Sequence, residues 1–308
     1  MHPWVPLTLD ASGNLYGSAG GGSDDNGVTF ELTPTSDGWS YNALYDGASA
    51  IGWIFDKTGN LYGLSGPGTY HAGAVAELSP GSNGLTYTAL YSFDPQNHDG
   101  YISENALIFA SRGNLYGTNK DGGPLGGGTV FEVSPPSVSG TGAWTEHVLH
   151  AFSSSLGAPQ QPYAGVVFDR GGNLYGATAS GGTVNQACPG GCGTIYKLTP
   201  DGQGGWKETI LHRFPTFRGG FSPLGTLTFD KAGNLYGTTA AGGAGANACF
   251  GGCGTVFKMT PMQDGKWKSA PLLRAGWRRS PGGCHARQKR QHLRHNQPRR
   301  LRLRQRGV

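Results

Sequence analysis

Gly233-Asn234-Leu235-Tyr236-Gly237 occurs, residue for residue, four more times, starting at Gly13, Gly59, Gly113 and Gly172. Successive copies lie 46, 54, 59 and 61 residues apart in a chain of 308. A unit of that length with strand-like contents specifies blades or solenoid turns rather than one mixed core. The flanks of the last copy show what the unit holds. Leu224-Gly225-Thr226-Leu227-Thr228-Phe229 is a short apolar run, and Asp230-Lys231-Ala232-Gly233 reads as a tight turn into a second strand over 234–239. Gly supplies the positive φ such a turn needs, and Asp bonds the backbone two residues on. Residues 254–260 predict a third strand ended by Pro261, and 267–273 a fourth.

The other copies follow the same plan. Third strands are expected at 28–32, 74–78, 129–133 and 194–198, closely followed by Pro34, Pro80, Pro135 and Pro200. Proline has no N–H for a ladder and is read as the strand end. Fourth strands are expected at 41–45, 87–93, 144–152 and 206–214. No stretch sustains a 3.6-residue apolar period, so almost no helix is expected. A four-stranded meander repeated about an axis is a propeller blade, whose middle strands are buried on both faces. Leu235 and Tyr236 point to opposite faces, and both are apolar. The 55 glycines and 11% aromatic residues suit closely packed sheets with many turns. A β-solenoid would not need four reversals per unit. The expected fold is therefore all-β, a β-propeller of about five four-stranded antiparallel blades over 1–273. Alternate turns of a meander share a side, so the loops 119–128 and 180–193 and the links 94–105 and 153–163 should fall on one rim. Long loops on a rigid scaffold are where binding residues usually sit.

The charge of +5 is unevenly placed. Twelve of the 24 Lys and Arg lie in 274–308, where there is no Asp or Glu, so the rest of the chain carries 12 basic against 19 acidic residues. A basic tail usually suggests nucleic acid. Here the codons explain it better. The stretch from Arg290 to Arg300 can be back-translated so that reading one base later gives Gly-Asn-Ile-Tyr-Gly-Thr-Thr, a further copy of the repeat 57 residues after Gly233. A frameshift near Ser269 to Pro271 is inferred, and 274–308 is expected to be a disordered, out-of-frame tail. The Cys284-His285 and His292-x-x-His295 spacing then carries no metal chemistry. No leader and no membrane-spanning run are seen. The chain reads as an internal piece of a longer repeat protein.

The unit Asp-x-x-Gly-Asn-Leu-Tyr-Gly-Thr-Thr, a Gly-Gly loop, then Cys-Gly-Thr-Val-Phe-Lys-Leu-Thr-Pro resembles the GloVer tandem repeat, best at 169–200 and 230–261. The resemblance runs from Leu7 to about Leu273. It implies a bacterial protein of secreted or surface-attached type, extracellular in its natural setting. It implies no catalytic set.

Cys188 and Cys192, and Cys249 and Cys253, are two Cys-x-x-x-Cys pairs at equivalent places, read as small disulfides stapling rim loops. Four thiolates meeting across a blade boundary would instead hold zinc. The richest polar group flanks the third repeat: His98, Asp99, Glu104, Asn105, Asn119, Lys120 and Asp121. Glu104, Asn105, Asn119 and Asp121 offer oxygens that suit Ca²⁺. His98, Glu104 and Asp121 are the candidate catalytic groups, with the histidine as general base. A solvated polar loop is the plainer account. Asp24-Asp25 is an acidic pair on one loop, whereas glycoside hydrolysis needs carboxyls on opposite sides of a bond. Tyr70, Tyr101, Tyr163, Phe217 and Phe221 could stack on sugar rings, with His71, Asp99, Lys120 and Arg218 adding polar contacts; blade packing is the plainer role for the aromatics. No nucleophile elbow, phosphate loop or zinc-protease motif appears.

Two functions compete. One is an extracellular module that binds a glycan, small molecule or surface partner through the long-loop rim, with no required cofactor and no nucleic acid. The other is a hydrolase at the channel mouth, a Ca²⁺-assisted lactonase or esterase, or else a glycosidase. Self-association through unpaired end blades is also expected.

Overall fold

In the computed structural model, which describes residues 6–20, 27–66, 68–81, 84–101, 105–110, 113–137, 142–215, 219–243, 252–274, 277–280 and 283–286, every repeat forms a four-stranded antiparallel meander in chain order, which in the third repeat is extended by Asp121–Gly122, parallel to Gly126–Ser134, and by Gly100–Tyr101. Blade one is Thr8–Leu9, Leu15–Ala19, Val28–Thr35 and Gly38–Asp46. Blade two is Ala50–Phe55, Leu61–Ser65, Ala74–Gly81 and Gly84–Ser92. Blade three is Ile108–Phe109, Leu115–Asn119, Gly126–Ser134 and Thr145–Ser153. Blade four is Val167–Phe168, Leu174–Thr178, Thr194–Pro200 and Trp206–Arg213. Blade five is Thr228–Phe229, Leu235–Thr239, Thr255–Pro261 and Trp267–Arg274. The helical content of the described residues is a single 3-10 turn, Pro95–Asn97. A hairpin of Trp277–Ser280 with Gly283–Ala286 follows blade five. The rest of the basic tail, including the stretch from Arg290 to Arg300, lies outside the described residues.

The pentad earns its constancy atom by atom. Asp230 Oδ1 accepts the N–H groups of Ala232 and Asn234, while Oδ2 accepts the Asn234 amide at 2.7 Å and the Tyr236 hydroxyl at 3.0 Å. Asp10, Asp56 and Asp169 bind their turns in the same way. Blade three has Ala110 in that place, and the Asn114 amide bonds Glu132 instead. The first glycine of each pentad has φ between 80° and 93°, which only glycine holds without strain. The second glycine clears a ring: a Cβ on Gly117 would lie 2.5 Å from the Phe131 ring, and one on Gly237 equally close to Phe257.

Between the glycines, leucine and tyrosine serve two different junctions. Tyr16, Tyr62, Tyr116 and Tyr175 each meet, edge to face, the phenylalanine of the next blade's first strand. The partners are Phe55, Phe109, Phe168 and Phe229, with ring centroids 4.8 to 5.1 Å apart. That is the preferred aromatic geometry. A second contact repeats outside it: Phe93, Phe152 and Phe214 leave the outer strands and pack on Phe131, Tyr196 and Phe257 of the next blade.

The prolines mark the third-strand ends as expected: Pro200 and Pro261 are the last strand residues, and the strands of blades one and two run one residue past Pro34 and Pro80. Pro34, Pro80, Pro200 and Pro261 lie opposite Trp39, Leu85, Trp206 and Trp267. The second strand has already stopped two residues earlier, as at Leu15↔Leu32 and Leu235↔Met259, so its ladder needs no donor there. In blade five the first strand is shorter than the apolar run predicts, only Thr228–Phe229.

Among the described residues, burial falls off at the two end blades. Leu61, Leu115, Leu174 and Leu235 are buried, whereas Leu15 and Leu32 of blade one are half-buried and Leu9, Trp39 and Tyr41 are exposed. Val75, Val130 and Ile195 are buried, but the equivalent Val256 is half-buried and Thr238 beside it is exposed.

Candidate functional site

The long connections do share one rim, and they are pinned to each other there. Link and loop residues pair as Tyr101↔Asp121, Gln160↔Ser180 and Phe221↔Ala241. Gln161 and Ser222, both with left-handed φ, bridge neighbouring blades. The Gln161 N–H donates to Gly127 O at 2.8 Å and its carbonyl accepts from Ala179; Ser222 does the same between Cys192 and Ala240. Cys188 and Cys192 form the expected disulfide and sit in the core between blades four and five. Cys253 is also disulfide-bonded; its expected partner Cys249 lies outside the described residues.

Most polar candidates of the third repeat serve this framework. His98 is exposed, with φ of 64°, and closes the 3-10 turn that Asp94 caps. Asp99 is buried and accepts the Tyr91 hydroxyl at 2.7 Å and the Asp94 N–H at 2.9 Å. Asn105 is buried, its amide donating to Thr118 Oγ1 and to Tyr163 O. Asn119 is buried under Gly100, where a Cβ would strike its side chain. Lys120 Nζ lies 3.8 Å from Asp121 and 5.2 Å from the Tyr163 ring centre. Tyr101 packs on the core of blades two and three. Tyr70 is exposed and His71 takes a left-handed φ on blade two's loop, apart from this group. Phe221 is half-buried at the blade-five tie. Glu104, Arg218, Phe217, Asp24 and Asp25 lie outside the described residues.

Among the described residues, no three His, Cys, Asp or Glu side chains come together as a metal-binding group. Of the proposed Ca²⁺ oxygens, Asp121 lies beside Lys120, and Asn105 Oδ1 is buried without a hydrogen-bond partner while its Nδ2 donates to Thr118 and Tyr163.

Two features escaped the sequence. The first is apolar: Leu125, Leu156 and Val184 are 55%, 73% and 42% exposed. Their loops are joined by Ser154 N to Leu125 O and by Gly182 N to Gly157 O, both 3.0 Å, so the three side chains line one stretch of rim over blades three and four. Each stands as a lone aliphatic residue among glycine, proline and small polar neighbours, and that isolation is the signal that could have marked it. The second is acidic. Burial, with the charge of Asp99 second, pushes the Glu146 carboxyl up to about 8. At the next junction Glu208 lies 3.7 Å from His150; burial raises the one and lowers the other, favouring both neutral forms.

No described helix is long and apolar enough to cross a membrane. The sequence profile of the Gloeobacter/Verrucomicrobia repeat matches residues 3–188 and 103–272. No protein of curated function matches the chain. Among solved structures, a crystal structure from Bacteroides fragilis NCTC 9343, of a protein provisionally assigned as a 6-phosphogluconolactonase, is similar at 12% identity. The match covers 87% of this chain and 82% of that one, with a TM-score of 0.43.

Proposed function

We propose, for a chain that belongs to the Gloeobacter/Verrucomicrobia repeat family, that it is an extracellular binding module holding a protein partner on its long-loop rim. The exposed trio Leu125, Leu156 and Val184 carries the reading. Exposed aliphatic side chains on hydrogen-bonded loops offer a preformed apolar surface, and such surfaces mark interaction sites. Sugars prefer open aromatic faces, and Lys120 already occupies Tyr163. Glycan binding through Tyr70 is the neighbouring possibility. The disulfide supports an oxidising location.

A displayed random-peptide library and a glycan array test this together. The expected result is selection of apolar peptides whose affinity falls at least about tenfold in Leu156→Asp, a loss of roughly 1.4 kcal/mol. Glycan binding that is indifferent to Leu156→Asp, or no binding in either arm, would count against it. The hydrolase reading at the channel mouth gains nothing from Glu146, whose carboxyl burial raises but which lies on blade three's outermost strand. Turnover of lactones, esters or glycosides by the wild type would select the hydrolase reading. A chelator arm in the same panel reports on Ca²⁺.

A further inference from the structure

On the side of the array opposite the long loops, a cavity opens between blades four and five. Two of its walls are the Asp-x-x-Gly turns of those blades, over 169–171 and 230–233. A third is Trp267, opposite Pro261 where the last hairpin reverses. The cavity encloses about 470 Å³, within the range of small-molecule sites. It belongs to an internal junction: Tyr175 of blade four lies 5.1 Å from Phe229 and 5.9 Å from Trp267 between ring centres. Tyr175 is buried, whereas Phe229 and Trp267 are half-buried, so part of each remains open to a ligand.

The polar groups of the lining differ in what they have left to give. The Asp169 carboxylate accepts the N–H groups of Gly171 and Asn173, the Asn173 amide and the Tyr175 hydroxyl. Asp230 holds the equivalent set in its own turn. An ionised carboxylate has about four acceptor sites, so neither is free to take a hydroxyl from a ligand. Arg170 and Lys231, the next residue of each turn, are exposed and have no hydrogen bond or ion pair among the described residues. Formal charges in the lining balance, but the spare donors are those of the two cations. The sequence pairs cations in this way at one junction alone: the same turn position is Ala11 in blade one, Lys57 in blade two and Ser111 in blade three. In blade two, Leu85 stands where blade five has Trp267.

We propose that this cavity binds an acidic sugar, a hexuronate unit of a glycan. The apolar C–H face of the pyranose stacks on Trp267 and Phe229, which supply the ring surface. Its carboxylate lies between Arg170 and Lys231, where the guanidinium offers paired N–H groups and the ammonium a point charge. The site lies on the opposite rim from Leu125, Leu156 and Val184 and does not depend on the protein-binding reading.

Calorimetric titration of the full chain with digalacturonate, with its neutral counterpart galactobiose and with benzoate tests this. Digalacturonate should bind at least about tenfold more tightly than either of the others, because it alone brings both the ring and the charge. Arg170→Gln and Lys231→Gln, both at exposed positions, should each weaken it by at least about fivefold. Trp267→Leu keeps the wall apolar, as Leu85 does in blade two, but removes the stacking ring and should weaken binding as much; circular dichroism confirms that each variant folds. Lys57→Gln, at the same turn position of blade two, should leave the affinity unchanged. Galactobiose or benzoate binding as tightly as digalacturonate would overturn the inference. So would no binding of digalacturonate, or a loss in Lys57→Gln equal to that in Lys231→Gln.

Discussion

Asp230 has a carboxylate with four donors, and losing any of them loosens the turn that sets the strand register. Hydrogen bonds from the Asn234 side chain and backbone pull its titration down to about 2, so the turn keeps its charge throughout the neutral and mildly acidic range. The sequence made much of this legible. Asp-x-x-Gly reads as a turn from residue types alone, and the disulfide Cys188–Cys192 from spacing. The second pentad glycine was not legible, because its reason is a ring on another strand. Gly117→Ala puts a methyl into the Phe131 ring and should destabilise by about 1–3 kcal/mol, the usual range for overpacking. Equilibrium denaturation checks this; an unchanged midpoint would mean the ring has room to move.

At the scale of strands and junctions, proline shows how far a local rule reaches. Pro200 lacks a donor, and its place two residues beyond the last pair with the second strand removes the need for one. Sequence shows the missing N–H but not which neighbour has stopped. The rim was legible as a set of loops for the same local reason, whereas the meeting of Leu125, Leu156 and Val184 depends on three separate connections. The outer strands also carry a titration that only the packed junction creates. Glu146 has an ordinary value of 4.5 and a folded value of about 8. Between these, the unfolded chain gives up its proton while the folded chain keeps it, so stability falls as pH rises from about 4.5 to about 8 and then levels off. Glu146→Gln removes that loss. The variant should melt close to wild type near about pH 5 and several degrees above it, at least about 3 °C, near about pH 9. Parallel melting curves at the two pH values would show that the carboxyl is solvated in the folded chain.

Across the whole molecule, one junction used four times explains both the cohesion and the lower burial at the ends. Among the described residues, blades two, three and four are covered on both faces, while blades one and five are each covered on one. In a repeat array, stability is roughly the sum of each unit's own contribution and the contacts with its neighbours, so the ends should open first. Native-state hydrogen exchange tests this most directly. The second strands of blades two to four, Leu61–Ser65, Leu115–Asn119 and Leu174–Thr178, should be the most protected amides. Leu15–Ala19 and Leu235–Thr239 should exchange faster. Equal protection across all five would mean that the end blades are covered as fully as the rest, and would contradict the account.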